Sequence, residues 1–419
     1  MSTQITEPAP AAQRRLASPL LPIFLIVVVD VLGFTIILPL LPFYSERLGA
    51  TPAIVGALVS TYAACQLISG PLLGQISDRL GRKPILMVSQ VGTLIGFFLF
   101  AFARSLPILF LARAIDGATA GNLTIAQAYI SDVTRPEDRA KSFAIIGIAF
   151  GFGFLVGPAI SGFLAQFGYQ APIFAACGLS FTSIVCTSLF LPNREQTQAI
   201  SAALGGDHTP SERRLSLFSW GEYARFFKQK NLARLLAEWL FFSFSFATFI
   251  SGFALFAERR YTWHGHAVGV KEVGYLFALS GFIGIIMQGG LVGRLVKWLG
   301  ERRMVQIGFL SAAIGYAAIG LTHTLWQLIW VMSLTSIGGA ALRPALTSLI
   351  TQKAGRQEQG LIIGLTQSLM SIAQITAPVI AGILIEHRYL TVWAMWAGIL
   401  SGLALFFQPR TYGSAPGSI

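Results

Sequence analysis

The chain has 419 residues, of which 54% are hydrophobic and 11% charged, with a formal net charge of +12. Soluble domains carry about a quarter of their residues as charges, so this composition excludes an ordinary water-soluble enzyme and indicates a membrane protein. The basicity does not indicate nucleic acid: of 30 Lys and Arg, about 21 fall on the N-terminus, the even-to-odd loops and the C-terminus and about six on the other side, an orientation signal that places both termini in the cytoplasm.

Apolar runs of about 20 residues, continuous rather than alternating and rich in Leu, Ala and Gly, predict membrane-crossing helices and not barrel strands. Twelve are predicted, over roughly 21–44, 52–72, 84–104, 106–131, 141–165, 170–192, 232–257, 272–293, 304–323, 325–350, 360–386 and 389–408. The first lacks a small-residue cleavage site and carries Asp30, so it reads as a retained helix and not a signal peptide. An ionisable group at bilayer depth costs at least about 2.5 to 3.5 kcal/mol, which makes Asp30, ten or so residues into helix 1, a candidate to carry a proton or to pair with a substrate cation.

The link from helix 2 to helix 3 reads "GQISDRLGRKP". Gly74 and Gly81 suit a tight turn there, and Asp78 and Arg82, four apart, can pair with each other or with Asp132 after helix 4. Arg79, Arg82 and Lys83 also serve topology, but topology needs no Asp78. In helix 4, Arg113 and Asp116 share a face at i and i+3: a permanent cation beside a titratable acid is a simple coupling device, or else a structural ion pair. Helix 5 spaces Gly147, Gly151, Gly153 and Gly157, with Pro158 and Gly162, so that a helix of the other half can approach and the segment can bend.

After Pro192 the apolar pattern stops, and the stretch up to "LFSWGEYARFF" shows no clear helical stripe, which marks a linker. In helix 7, Glu238 faces either the interior or, by snorkelling, water, while Phe241, Phe242, Phe244 and Phe246 form an aromatic run. Arg343 in helix 10 has the same two readings, snorkelling or attracting an anion. Tyr62, Gln66, Gln127, Gln288, Gln367 and Gln374 add isolated polar points suited to an amphiphilic organic substrate. Cys65, Cys177 and Cys186 lie in predicted helices without metal-ligand spacing, and no metal or other cofactor is expected.

The second half repeats the first. "GQISDRLGRKPIL" lies over "GRLVKWLGERRMV", aligning Gly74 with Gly293 and Gly81 with Gly300, and "GPAISGFL" over "APVIAGIL", aligning Pro158 with Pro378 and Gly162 with Gly382. Lys297 then stands for Asp78 and Glu301 for Arg82, a pair with its signs reversed. The expectation is an all-α membrane protein of twelve transmembrane helices in two pseudo-symmetric six-helix bundles: a tail over 1–20, bundles over 21–192 and 232–408, a cytoplasmic linker over 193–231 and a tail over 409–419.

Four stretches carry a resemblance to the major facilitator superfamily, and within it to the twelve-helix drug/proton antiporters, the tetracycline/proton antiporters above all. They are the helix 2–3 link, "LGFTIILPLLP" in helix 1, "RAIDGATAG" in helix 4 and "GFLVGPAISG" in helix 5. The resemblance implies proton coupling through Arg113, a cytoplasmic gate built from Gly74, Asp78, Arg79, Gly81, Arg82 and Asp132 that latches onto helix 11 and favours the outward-open state, and an antiporter motif at Gly153, Gly157, Pro158 and Gly162. It departs at Asp116, where the family has Gln, and at Gly96, where the tetracycline antiporters have an acid.

The function expected is proton-coupled efflux of small amphiphilic organic compounds or drugs by alternating access, from a monomer with multi-pass topology in the lipid of a bacterial inner membrane. The alternative is proton-coupled uptake or facilitated transport of a metabolite or organic anion. No H-E-x-x-H, G-x-S-x-G or G-x-x-x-x-G-K-[ST] stretch is present, so neither an enzyme nor an ATP-driven pump is expected.

Overall fold

The computed structural model describes residues 20–134, 139–203, 225–353 and 359–407, and the predicted tails and most of the linker lie outside them. In the first half α1 spans Leu20–Arg47, α2 Pro52–Leu80, α3 Arg82–Ala101, α4 Leu106–Ala118, α5 Asn122–Asp132, α6 Arg139–Leu164 and α7 Gln170–Phe190. A linker helix, α8, covers Arg194–Ala203. The second half has α9 over Lys230–Arg260, a two-residue hairpin of β1 Thr262–Trp263 and β2 His266–Ala267, and α10 over Val270–Ile286. It continues with α11 Val292–Leu299, α12 Glu301–Ile319, α13 Leu325–Gly339, α14 Leu342–Lys353, α15 Gln359–Glu386 and α16 Leu390–Ala404.

Among the described residues, ten helical segments are long and apolar enough to cross a membrane by length and composition alone. The other two predicted crossings are the α4–α5 pair, which is interrupted, and α12, whose first turn holds Glu301, Arg302 and Arg303. The interruption at Thr119–Gly121 has a local cause. Ser89 Oγ of α3 donates to the Thr119 carbonyl and accepts from the Gly121 N–H at 3.0 Å, taking backbone groups that a continuous helix would have paired. Helix 10 breaks likewise between α13 and α14, ahead of Pro344, which has no N–H to donate. A π-helical turn over Met287–Leu291 joins α10 to α11.

The structure corrects two local expectations and adds one element. The predicted linker is helical over α8. Gly74 is not in a turn: α2 continues to Leu80, and only Gly81, at φ +101, makes the corner. The hairpin after α9 was not legible as such, because its turn is His264-Gly265, with φ of 48 and 84, and not a familiar Asn-Gly pair.

The helices pack twice in the same pattern: α1 on α6 and α7, and α3 on α7 and α4, correspond to α9 on α15 and α16, and α12 on α16 and α13. The halves meet where α2 crosses α15 and where α6 crosses α10. Both crossings use one device. A Cβ at Gly56 would overlap the Pro378 carbonyl, and one at Gly274 would overlap the Pro158 carbonyl; Gly382 and Gly162 make the reciprocal approaches to Pro52 and Lys271.

The core is distributed unequally along the helices. At the far end from the linker a single buried cluster runs through both halves, from Ile36, Tyr44 and Leu58 to Phe256, Phe277 and Trp393. At the linker end there are two separate cores, one in the first half around Ile26, Leu86 and Tyr129 and one in the second around Leu236, Phe309 and Leu346. The halves are thus joined at the far end and part toward the linker end.

Candidate functional site

Between the parting halves, about midway along the helices, lies a cavity of about 270 Å³. Its wall is mainly apolar, with Phe34, Phe97, Phe154, Ile250 and Met370, and four charged side chains reach it: Asp30, Arg113, Asp116 and Arg343. Arg113 Nη1 lies 2.9 Å from Asp116 Oδ2, and each side chain is 7% exposed. The α4 turn sets this pair, since residues three apart share a face, and the Arg113 guanidinium also stacks over the Tyr62 ring at 4.4 Å. Gln66 Nε2 in turn donates to Tyr62 Oη at 3.2 Å.

Asp30 is anchored by one oxygen only. Ser183 Oγ on α7 donates to Asp30 Oδ1 at 2.7 Å, and Gln90 Nε2 on α3 donates to Ser183 Oγ at 2.8 Å. Asp30 Oδ2 has no hydrogen-bond partner among the described residues, although Asn122 stands beside the carboxyl. Gln90 and Ser183 went unnoticed in the sequence; the available signal was a glutamine within the apolar run of helix 3.

Of the residues singled out in the sequence, Asp30, Tyr62, Gln66, Arg113, Asp116, Arg343, Gln367 and Gln374 all line the cavity, as does Phe246. Others do not reach it. Glu238 is fully buried within the second half and pairs with Arg302 at 3.2 Å, so neither water nor the cavity claims it. Phe241 packs on Phe407, and Phe242 stacks between Trp239 and Phe246, which makes them bundle packing. Gln288 is exposed on the π-helical turn, and Gln127 lies on α5 away from the cavity wall.

The charged link after α2 forms a compact node. Arg82 binds Asp78 across the Gly81 corner and Asp132 at 2.8 Å, and its Nη1 donates to Ser77 Oγ at 2.7 Å. Arg194 of α8 donates to the Arg79 carbonyl at 2.7 Å, and Gly74 packs near Thr124. Among the described residues, these partners belong to the first half and the linker helix. The second-half counterpart differs from its expected ion pair: the Glu301 carboxylate accepts from Ser348 at 2.7 Å and Gln352 at 3.0 Å, with no Lys297 contact among the described residues. The helix 5 glycines divide their work. Gly153 and Gly157 press on Val31 and Thr35 of α1 in their own half, whereas Gly151, Pro158 and Gly162 meet the other half, Gly151 at Ile285 of α10.

Residues 23–322 and 291–418 match the family model described as Major Facilitator Superfamily. Tetracycline resistance protein, class B, of Escherichia coli is 28% identical over 386 residues, covering 91% of each chain. The class E protein of Escherichia coli is 30% identical over 90% of this chain and 89% of its own. Multidrug resistance protein 2 of Bacillus subtilis (strain 168) is 27% identical over 85% of this chain and 86% of its own. Among solved structures, the nucleoside transporter NupG superposes with a TM-score of 0.75 at 16% identity, covering 93% of this chain and 98% of that one. The human organic anion transporter MFSD10 superposes at 0.67 with 22% identity, covering 96% and 100%.

Proposed function

We propose, on the premise that the chain belongs to the Major Facilitator Superfamily, that this transporter exports small amphiphilic organic compounds from a bacterial cytoplasm in exchange for protons. The relatives named for tetracycline and multidrug resistance favour drugs as the cargo. The observation that carries the reading is the placement of Asp30 and of the Arg113–Asp116 pair on one cavity between two halves that part at one end only.

With the linker end assigned to the cytoplasm by its basic loops, the structure corresponds to a cavity open inward. An amphiphile enters against the apolar wall while the carboxylates are ionised. The halves then roll about the α2–α15 and α6–α10 crossings, the far end opens, and external protons taken up by the carboxyls accompany the release of cargo and the return. In the outward form the Asp78–Arg82–Asp132 node comes to face the other half, and loss of water there strengthens it. The monomer holds both bundles and needs only the lipid around it.

The test is transport in reconstituted vesicles acidified inside. Substrate uptake should rise with the pH gradient and dissipate it, and Asp30→Asn and Asp116→Asn should each lower driven uptake by about tenfold or more, about 1.4 kcal/mol of coupling, with unchanged expression. Uptake indifferent to the gradient would overturn antiport.

A further inference from the structure

The charge inventory of the cavity goes further than a generic amphiphile. Arg113 and Asp116 neutralise each other. That leaves two uncompensated groups: Asp30 on the first half, with one carboxylate oxygen unpartnered, and Arg343 on the second. Arg343 has no carboxylate within ion-pair distance among the described residues; its guanidinium carbon lies 6.0 Å from the ring centre of Phe150 of the opposite half. It is the single charged side chain that the second half contributes to the cavity wall. Gln367 and Gln374, which line the cavity from the same half, are neutral.

A cation in this chamber would satisfy Asp30 and leave Arg343 unpaired, and an anion would do the reverse. Arg343 is exposed to the water of the open cavity; a bound cargo displaces that water, and a charge then left unpaired against the apolar wall is costly, whereas a guanidinium forks two hydrogen bonds onto a carboxylate. We infer that the cargo is a zwitterion: an aromatic or otherwise apolar body whose cationic group faces Asp30 and whose acidic group is held by Arg343. The apolar body packs against the cavity wall, where the Phe34 and Tyr62 rings are in mutual contact with centres 6.2 Å apart. Because each half holds one pole, the cargo also bridges the two bodies that must move together. This rests on the cavity being the transport site proposed above, but it concerns binding and not coupling.

Three related xanthene dyes separate the possibilities by fluorescence anisotropy on the purified full chain at neutral pH with no gradient: rhodamine B, a zwitterion; its ethyl ester, a cation; and fluorescein, an anion. Rhodamine B should bind about tenfold tighter than either of the others. Arg343→Gln should bring rhodamine B to the level of the ester and leave the ester within about twofold, while Arg343→Lys keeps part of the preference and so guards against mere loss of fold. Asp30→Asn should weaken both rhodamines and spare fluorescein. An ester that binds as tightly as rhodamine B, an Arg343→Gln variant with undiminished rhodamine B affinity, or binding of none of the dyes overturns the assignment. Since no proton gradient enters the measurement, a failure of antiport in vesicles leaves this result readable on its own.

Discussion

Asp116 owes its position to the absence of a side chain at residue 96. A Cβ on Gly96 would lie 2.8 Å from Asp116 Cβ, so the helix 4 carboxyl fills the space into which a helix 3 residue would project. Moving the acid across that boundary, with Gly96→Asp in combination with Asp116→Gly, should restore a measurable part of the proton-driven uptake that Asp116→Gly alone abolishes; equal inactivity of single and double variants would show that the acid must sit on α4. Glu238 makes the opposite case. It lies on α9 about two turns nearer the linker end than Phe246, which lines the cavity, and its carboxylate is spent on Arg302, which retains some contact with water. Glu238→Ala should therefore lower the melting temperature, at a cost of about 2 kcal/mol, and leave the Kd for substrate unchanged. The sequence left Glu238 open between interior and water because depth along a helix is legible from residue number, whereas the direction a side chain takes depends on which neighbours surround it. Arg343 and Asp116 were readable as charges at depth; Ser183 and Gln90, which hold Asp30, were not, because uncharged polar residues in apolar helices ordinarily satisfy themselves on their own backbone.

Helices were the most legible elements, since twelve apolar runs suffice to locate them. Their interruptions were not. The break at Thr119–Gly121 is dictated from α3 by Ser89, a residue far away in the chain, so no local pattern in "RAIDGATAG" could announce it. Ser89→Ala should leave the Gly121 N–H without that partner and destabilise the fold by about 1 to 3 kcal/mol in thermal melts. The repeat, by contrast, forecast the crossings well: the alignment of Pro158 with Pro378 and of Gly162 with Gly382 corresponds to the same carbonyl-on-glycine contact in both places. Gly274→Leu forces a side chain against the Pro158 carbonyl and should wedge the halves apart at the far end, raising the accessibility of that face to water-soluble probes and stopping transport. The linker helix escaped notice because an amphiphilic stretch of ten residues is short for a pattern to show, and α8 gains its place by binding the α2–α3 corner through Arg194.

On the scale of the molecule, the two halves are held at one end by a shared core and by polar ties that cross between them. Arg259 of α9 pairs with Glu46 of α1, and Glu386 of α15 accepts from the Ala53 N–H at 3.1 Å. Arg259→Gln removes a partly buried pair of about 1 kcal/mol, which corresponds to about a fivefold change in the open population. Hydrogen–deuterium exchange over residues 270–277 should accelerate by about that factor, and unchanged exchange would mean that the pair contributes nothing to closure. The twofold plan and the number of bundles were readable from the sequence; which end is shut was not, because both ends of each half carry equally apolar helices. The closed end is sealed with hydrocarbon, including Phe253, Phe256, Tyr261 and Trp393, whereas the end that would shut in the proposed outward form is rimmed with ion pairs. Hydrating apolar surface adds about 0.45 cal/K/mol per Å² to the heat capacity. The exchange between the two forms is consequently bowed with temperature, and chilling, which slackens hydrophobic cohesion, should tip a resting population toward the external face.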